Sequence, residues 1–315
     1  MDNLTLAINV VFPMFFMMVA GYIMRIKNLV DNHSLNIMNK LIFRVFMSIL
    51  LFLNIYKMDI KEALSKENIF LILMLYTIII AAFLIFIFTL PKFIKDKKKC
   101  SVMIQGLVRG NSILFGIPIV ASIYGDDRIG LVSLLAAYLI PLFNVLGVTV
   151  LEIYRGGKVN IKKVLLGIVK NPTIVASALA FLFIFIGVKI PNLILSPLES
   201  MSKVTTPLAF IVLGGTFDFK ALCNNAKYLT VVALGKLIVI PAIVFYIAYS
   251  IGIGNGEMVA LLGVMTSPVA IASFSMAKEM DADGELAGQI VITTSIASIA
   301  TIFFWVYLFG TLNII

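Results

Sequence analysis

The chain has 315 residues, 61% hydrophobic and only 13% charged, with a formal net charge of +9 and a mean hydropathy of +1.07. Soluble domains average roughly 45–50% apolar and 25% charged residues, so a soluble fold is excluded: it has no means of hiding this much apolar surface. The apolar runs are near continuous and about 20 residues long, which excludes a transmembrane barrel with its alternating pattern and leaves an all-α integral membrane protein in a lipid bilayer.

The first apolar run, 4–24, carries Asp2, lacks a basic leading region and is followed by Arg25 and Lys27 without a small-residue cleavage site. It therefore reads as a membrane helix and not a signal peptide. His33, the only histidine, follows in a polar loop with Asp31 and Asn32, and alone it provides no metal site. Further spans are predicted at 37–56, 68–90, 101–124, 129–151, 164–188, 198–217, 228–252, 257–277 and 286–313, ten in all. Lys40 and Arg44 weaken the second and Lys203 begins the seventh.

The connections carry basic clusters: Arg25 and Lys27, then Lys92 to Lys99, then Arg155 to Lys163, then Lys220 and Lys227. With the N-terminus outside, most of the 25 basic residues fall on the inner side, so the positive-inside rule places both termini outside the cell membrane. The clusters are not interleaved with aromatics along one face, and no nucleic-acid partner is expected. Cys100 and Cys223 lie beside inner loops, where a disulfide does not persist.

Five spans precede the basic connection near 155 and five follow it. An odd number per half forces the second half to run opposite to the first, the inverted-repeat plan of many secondary transporters. The predicted halves are 1–155 and 156–315. Their fourth spans are interrupted at matching places, by Arg109-Gly-Asn-Ser-Ile-Leu-Phe-Gly-Ile-Pro118 and by Thr266-Ser-Pro-Val-Ala-Ile-Ala-Ser273. Pro118 and Pro268 remove backbone donors, and unwound backbone at membrane depth is tolerated only where protein or a cavity surrounds it. Paired breaks present half-helix ends to a substrate, and helix N-termini favour anions. Gly116, Asn111, Ser112, Ser267 and Ser273 flank them.

Arg109 lies about eight residues into its span, roughly 12 Å at 1.5 Å per residue, and Lys236 lies at a similar depth. A cation there is costly and is normally paired or faces a cavity. Asp218, Glu257 and Glu279 sit at span ends, so a carboxylate substrate is the expected partner; snorkelling to the interface is the alternative. Asn144, a lone amide in the fifth span, either bridges helices or joins the site.

These stretches, together with Lys170-Asn-Pro172, Thr206-Pro-Leu-Ala-Phe-Ile-Val-Leu-Gly-Gly215, Lys236-Leu-Ile-Val-Ile-Pro241, Pro268-Val-Ala-Ile-Ala-Ser-Phe-Ser-Met-Ala-Lys278 and Glu285-Leu-Ala-Gly-Gln-Ile290, resemble the auxin efflux carrier family over nearly the whole chain. The resemblance implies ten helices in two inverted five-helix repeats, broken fourth and ninth helices that cross at the substrate site, and a fold like the bile acid sodium symporters. It places Arg109, Asn111, Gly116 and Pro118 on the fourth-helix motif, Pro268 and Ser273 on the ninth. The short link near 155–163 matches the bacterial members, described as malate or organic acid permeases. Ser48 stands where the family often has proline, and Ala272 where many members carry asparagine.

The sequence thus predicts a secondary transporter for a small organic anion, with Arg109, Asn111, Ser112, Gly116, Pro118, Asn144, Lys236, Ser267, Pro268 and Ser273 at a midplane site. No cofactor is expected beyond proton or sodium coupling, and the reading admits a homodimer. Enzyme chemistry is not expected, for no nucleophile with a base, metal cluster or midspan carboxylate pair is present. A channel or a membrane-embedded sensor remains the alternative.

Overall fold

The computed structural model describes residues 3–57, 66–117, 119–120, 129–155, 161–217, 219–312 and 314. Among them the chain is helical in each of the ten expected stretches. The helices are α1 (Asn3–Ile26), α2 (Asn32–Leu41), α3 (Met47–Tyr56), α4 (Lys66–Phe93), α5 (Lys97–Val108), α6 (Ile129–Tyr154), α7 (Ile161–Lys170), α8 (Pro172–Ile186), α9 (Asn192–Thr216), α10 (Phe219–Leu234), α11 (Ile240–Ser250), α12 (Asn255–Met265), α13 (Ala272–Glu279) and α14 (Gly284–Thr311). Wider π turns, Ile42–Phe46 and Gly235–Val239, carry α2 into α3 and α10 into α11, and a third, Ser112–Gly116, follows α5.

Among the described residues, five stretches are both long and apolar enough to cross a bilayer: Asn32–Tyr56, Asn68–Phe93, Gly130–Tyr154, Asn224–Ser250 and Gly284–Thr311. Large apolar side chains such as Phe88, Phe185 and Tyr246 stand exposed on the outer faces. Lipid is the solvent for such a surface, while helical hydrogen bonding satisfies the backbone within each span.

Local chemistry sets the helix boundaries. Asp31 accepts the Ser34 amide at 2.7 Å and caps α2, which holds its carboxyl below the ordinary carboxylate value. His33 consequently sits in the first turn of α2 and not in a loop, because capping draws the polar segment into the helix. The predicted span 164–188 is two helices. Asn171 adopts an extended backbone, and its side chain accepts from the Thr173 amide at 3.0 Å and the Thr173 hydroxyl at 2.6 Å. Pro172, with no N–H to give, starts α8. Replacing Asn171 with Ala is expected to destabilise the protein by about 1 kcal/mol, read as a lower thermal midpoint in detergent, and Asn171→Asp should retain the parental midpoint.

Helices distant in the chain pack together. α1 packs along α9, and α3 lies against α8 and α9. α14 packs on α1, α5, α10 and α13, which makes it a central post. Its Trp305 meets Phe245 edge-to-face at 4.9 Å, Phe245 meets Phe309 in the same way at 4.9 Å, and the Trp305 indole N–H donates to the Leu237 carbonyl at 2.8 Å. That bond anchors the π turn that holds Lys236.

Candidate functional site

Both predicted interruptions are present, and they meet. α5 stops at Val108, where Arg109 turns to an extended backbone and Asn111 follows in a non-helical conformation. Gly, Asn and Ser in succession favour this, since glycine loses most entropy in a helix and the polar side chains compete for the backbone. α12 stops at Met265. The Thr266 hydroxyl donates to the Leu262 carbonyl at 2.8 Å and the Ser267 hydroxyl to the Val264 carbonyl at 2.6 Å, before Pro268 prevents the helix from continuing. The two extended segments pair as one antiparallel bridge, Gly110 with Val269, and the Asn111 amide donates to the Pro268 carbonyl at 2.8 Å. The Val269 amide donates to the Thr294 hydroxyl of α14 at 3.2 Å, which satisfies another group freed by the unwinding.

Glycine makes this contact possible. A Cβ on Gly110 would stand 2.6 Å from Ser267 Oγ and 3.0 Å from Lys236 Nζ. One turn on, a Cβ on Gly116 would stand 2.7 Å from the Gly263 carbonyl oxygen, and a Cβ on Gly263 would stand 2.8 Å from that of Gly116.

A cavity of about 480 Å³ opens against the paired segments, within the usual size range of small-ligand sites. One wall is Arg109 to Ile113 and Ala270 to Ala272; the facing wall comes from α3 and α9, with Asn54, Ser202, Lys203, Thr205 and Thr206 as its polar groups. Both helical segments beyond the breaks begin in the first wall, with Ser112 and with Ala272, so their partial positive ends favour an anion there.

Arg109 is 5% exposed. Its Nη1 contacts the Met276 thioether at 2.8 Å, a weak acceptor for a group that has five N–H donors. Among the described residues the ion pairs are Arg44–Glu279, Lys57–Glu199, Arg155–Glu152 and Arg155–Asp281, and none involves Arg109 or Lys236. The guanidinium is thus buried, positive and without an anion.

The other predicted residues divide. Asn111 and Ser112 line the cavity with Arg109. Pro268 contributes its carbonyl to the pairing. Ser273, beside the cavity-lining Ala272, is buried with its hydroxyl unpartnered among the described residues. Asn144 is fully buried with neither amide atom partnered among the described residues, one residue beyond the cavity-lining Phe143. Gly116 serves backbone packing. Lys236 and Ser267 lie together against Gly110, outside the cavity lining. Pro118 lies outside the described residues.

Asn54, Thr205 and Thr206 were not singled out as site residues. The signal was available in the polar run Ser202-Lys203-Val204-Thr205-Thr206 inside an apolar span and in the lone amide of the second.

A second cavity, of about 590 Å³, is lined by Arg44, Glu152, Arg155, Lys170, Asn171 and Glu279, among others. Along α6 and α13 it lies further toward the C-terminal ends: Ile140, in the middle of α6, and Ala272, at the start of α13, line the first, Glu152 and Glu279 the second. Here Arg44 Nη2 meets Glu279 Oε1 at 2.8 Å and Arg155 Nη2 meets Asp281 Oδ2 at 2.8 Å.

Comparison with known proteins identifies a family. A model of the membrane transport protein family matches residues 6–161 and 158–306. An uncharacterized transporter of Methanocaldococcus jannaschii is 25% identical over 310 residues, 94% of this chain and 97% of its own length. An uncharacterized transporter of Methanothermobacter thermautotrophicus is 21% identical over 286 residues, 90% and 92% of the two chains. With both matches together spanning nearly its whole length, the chain belongs to the membrane transport protein family, the auxin efflux carrier type that its motifs resemble.

Proposed function

We propose that the chain is a secondary transporter of a small organic anion, binding a carboxylate between Arg109 and the amides at the two breaks. The observation that carries this reading is the buried Arg109 guanidinium, which has no anionic partner among the described residues and stands in the wall of a cavity of about 480 Å³. A buried cation left alone is strongly unfavourable, whereas a bidentate carboxylate satisfies both its charge and its donors. Asn111, Ser112 and the start of α13 complete the anion-favouring wall, and Asn54, Thr205 and Thr206 suit the rest of a polar organic acid.

The proposed architecture is ten crossings of the cell membrane in two inverted halves, 1–155 and 156–315, with both termini outside and the breaks crossing near the midplane. The family matches meet at 158–161, in the basic connection, which supports that division. Access alternates: the Arg109 cavity faces outward, and the Arg44–Glu279 and Arg155–Asp281 pairs hold the inner end shut. Exposed pairs contribute only about 0–1 kcal/mol each, a size suited to a gate that must open. Glu279→Gln with Asp281→Asn should therefore raise the reactivity of a cysteine placed at Gly167, in the inner cavity, with a membrane-permeant maleimide by several-fold while thermal stability falls by no more than about 2 kcal/mol.

Counterflow in proteoliposomes loaded with a panel of mono- and dicarboxylates tests the reading. Saturable exchange of one acid is the expected result. A folded protein that exchanges none of them, or conducts without saturation, is a sensor or a channel instead.

A further inference from the structure

Lys236 is 1% exposed and belongs to no ion pair among the described residues, yet it does not line the Arg109 cavity. Its ammonium stands 3.0 Å from where a Cβ on Gly110 would lie, and Ser267 Oγ stands 2.6 Å from the same point. Gly110 is two residues past the end of α5 and Ser267 two residues past the end of α12. The ammonium therefore sits where two helices finish together. Each C-terminus carries roughly −0.5 elementary charge, so two of them present about one negative charge, which one lysine balances. Half-helix C-termini and unwound carbonyls at membrane depth are the groups that otherwise bind a sodium ion. The anion cavity takes its wall from the paired segments and the starts of the helical segments beyond them, and its lining includes Arg109 but not Lys236.

Resting on the transport reading above, we propose that the Lys236 ammonium is the resident cation of the paired breaks, a positioning residue that fills the place of a bound metal cation and holds Gly110, and through it Arg109, in register. The π turn that carries it is fixed by the Trp305 bond to Leu237. Trp305 is the only tryptophan of the chain and reports on this turn.

The test compares the parent with Lys236→Ser and Lys236→Arg, in sodium, potassium and N-methylglucamine salts, by carboxylate counterflow and by Trp305 fluorescence in detergent. The parent and Lys236→Arg are expected to exchange equally in all three salts, with emission indifferent to sodium. Lys236→Ser, with the carbonyl ends left open, should exchange at least about tenfold more slowly in N-methylglucamine and recover in sodium, with a saturable change in emission. A merely structural lysine would lose exchange in every salt alike. Parental exchange that requires sodium, or Lys236→Ser exchanging at the parental rate in N-methylglucamine, overturns the proposal. If the parent exchanges no carboxylate in any salt, the transport reading fails, and the fluorescence decides the resident cation separately. A saturable sodium response confined to Lys236→Ser upholds it; a response in the parent, or in neither protein, overturns it.

Discussion

Arg109→Gln is expected to abolish measurable counterflow of the transported acid, a loss of about 100-fold or more, while leaving the fold intact. Charge-assisted hydrogen bonds contribute roughly 1.5–3 kcal/mol each, and a bidentate guanidinium–carboxylate contact makes two. Each 1.4 kcal/mol is about tenfold in affinity. Stability should move the other way. Burying an ion without a counter-ion costs several kcal/mol, and among the described residues the polar contact of Arg109 is the Met276 thioether, so a neutral amide relieves that cost. The thermal midpoint of Arg109→Gln without ligand should equal or exceed the parent's, and its rise on adding the acid should vanish. Arg109→Lys keeps the charge but loses the planar fork, so its affinity should fall between the two. A variant that binds the acid with parental affinity, or one that loses stability along with transport, would show that the guanidinium serves the fold and not the substrate.

Much of this site was legible because its signals are local. Proline at 268 and the Gly-Asn-Ser run after Arg109 disfavour helix wherever they stand, so both breaks could be placed from the sequence. What could not be read is which surfaces the breaks approach. Gly116 belongs to the fourth-span motif, yet its task is set by the Gly263 carbonyl 147 positions on in the chain, and nothing in the periodicity of either segment records the other. Lys236 and Arg109 look alike in sequence, each a cation well inside an apolar run. Only the fold separates them, placing Arg109 in the cavity wall and Lys236 outside it. The far wall of the cavity was missed for a related reason: Asn54, Thr205 and Thr206 lie on helices that continue through them, and α3 and α9 are distant in the chain. The expected loop at His33 failed for a simpler reason, since Asp31 can cap a helix as readily as it ends one.

Adding a methyl group at Gly116 or Gly263 should be among the most damaging small changes in the chain. Each Cβ would meet the other segment's carbonyl oxygen at 2.7 or 2.8 Å, and backbone does not move aside as a side-chain tip does. Small residues at such crossings let helices approach closely in a membrane, and overpacking a close contact costs about 1–3 kcal/mol. Gly116→Ala and Gly263→Ala should each lower the thermal midpoint in detergent and slow exchange together, because a displaced break also displaces Arg109 and Asn111. Gly310 is the control. It lies in α14 with open space where a Cβ would go, so Gly310→Ala should be neutral or stabilise by up to about 1 kcal/mol through helix propensity. The double variant Gly116→Ala/Gly263→Ala decides whether one contact is responsible for both losses. If it is, the first methyl already forces the segments apart and the second adds little, a coupling of roughly 0.5 kcal/mol or more. Strict additivity would mean that each glycine answers to a separate neighbour, Val132 for Gly116 and Val120 for Gly263, and that the backbone contact is not what sets the spacing of the two segments.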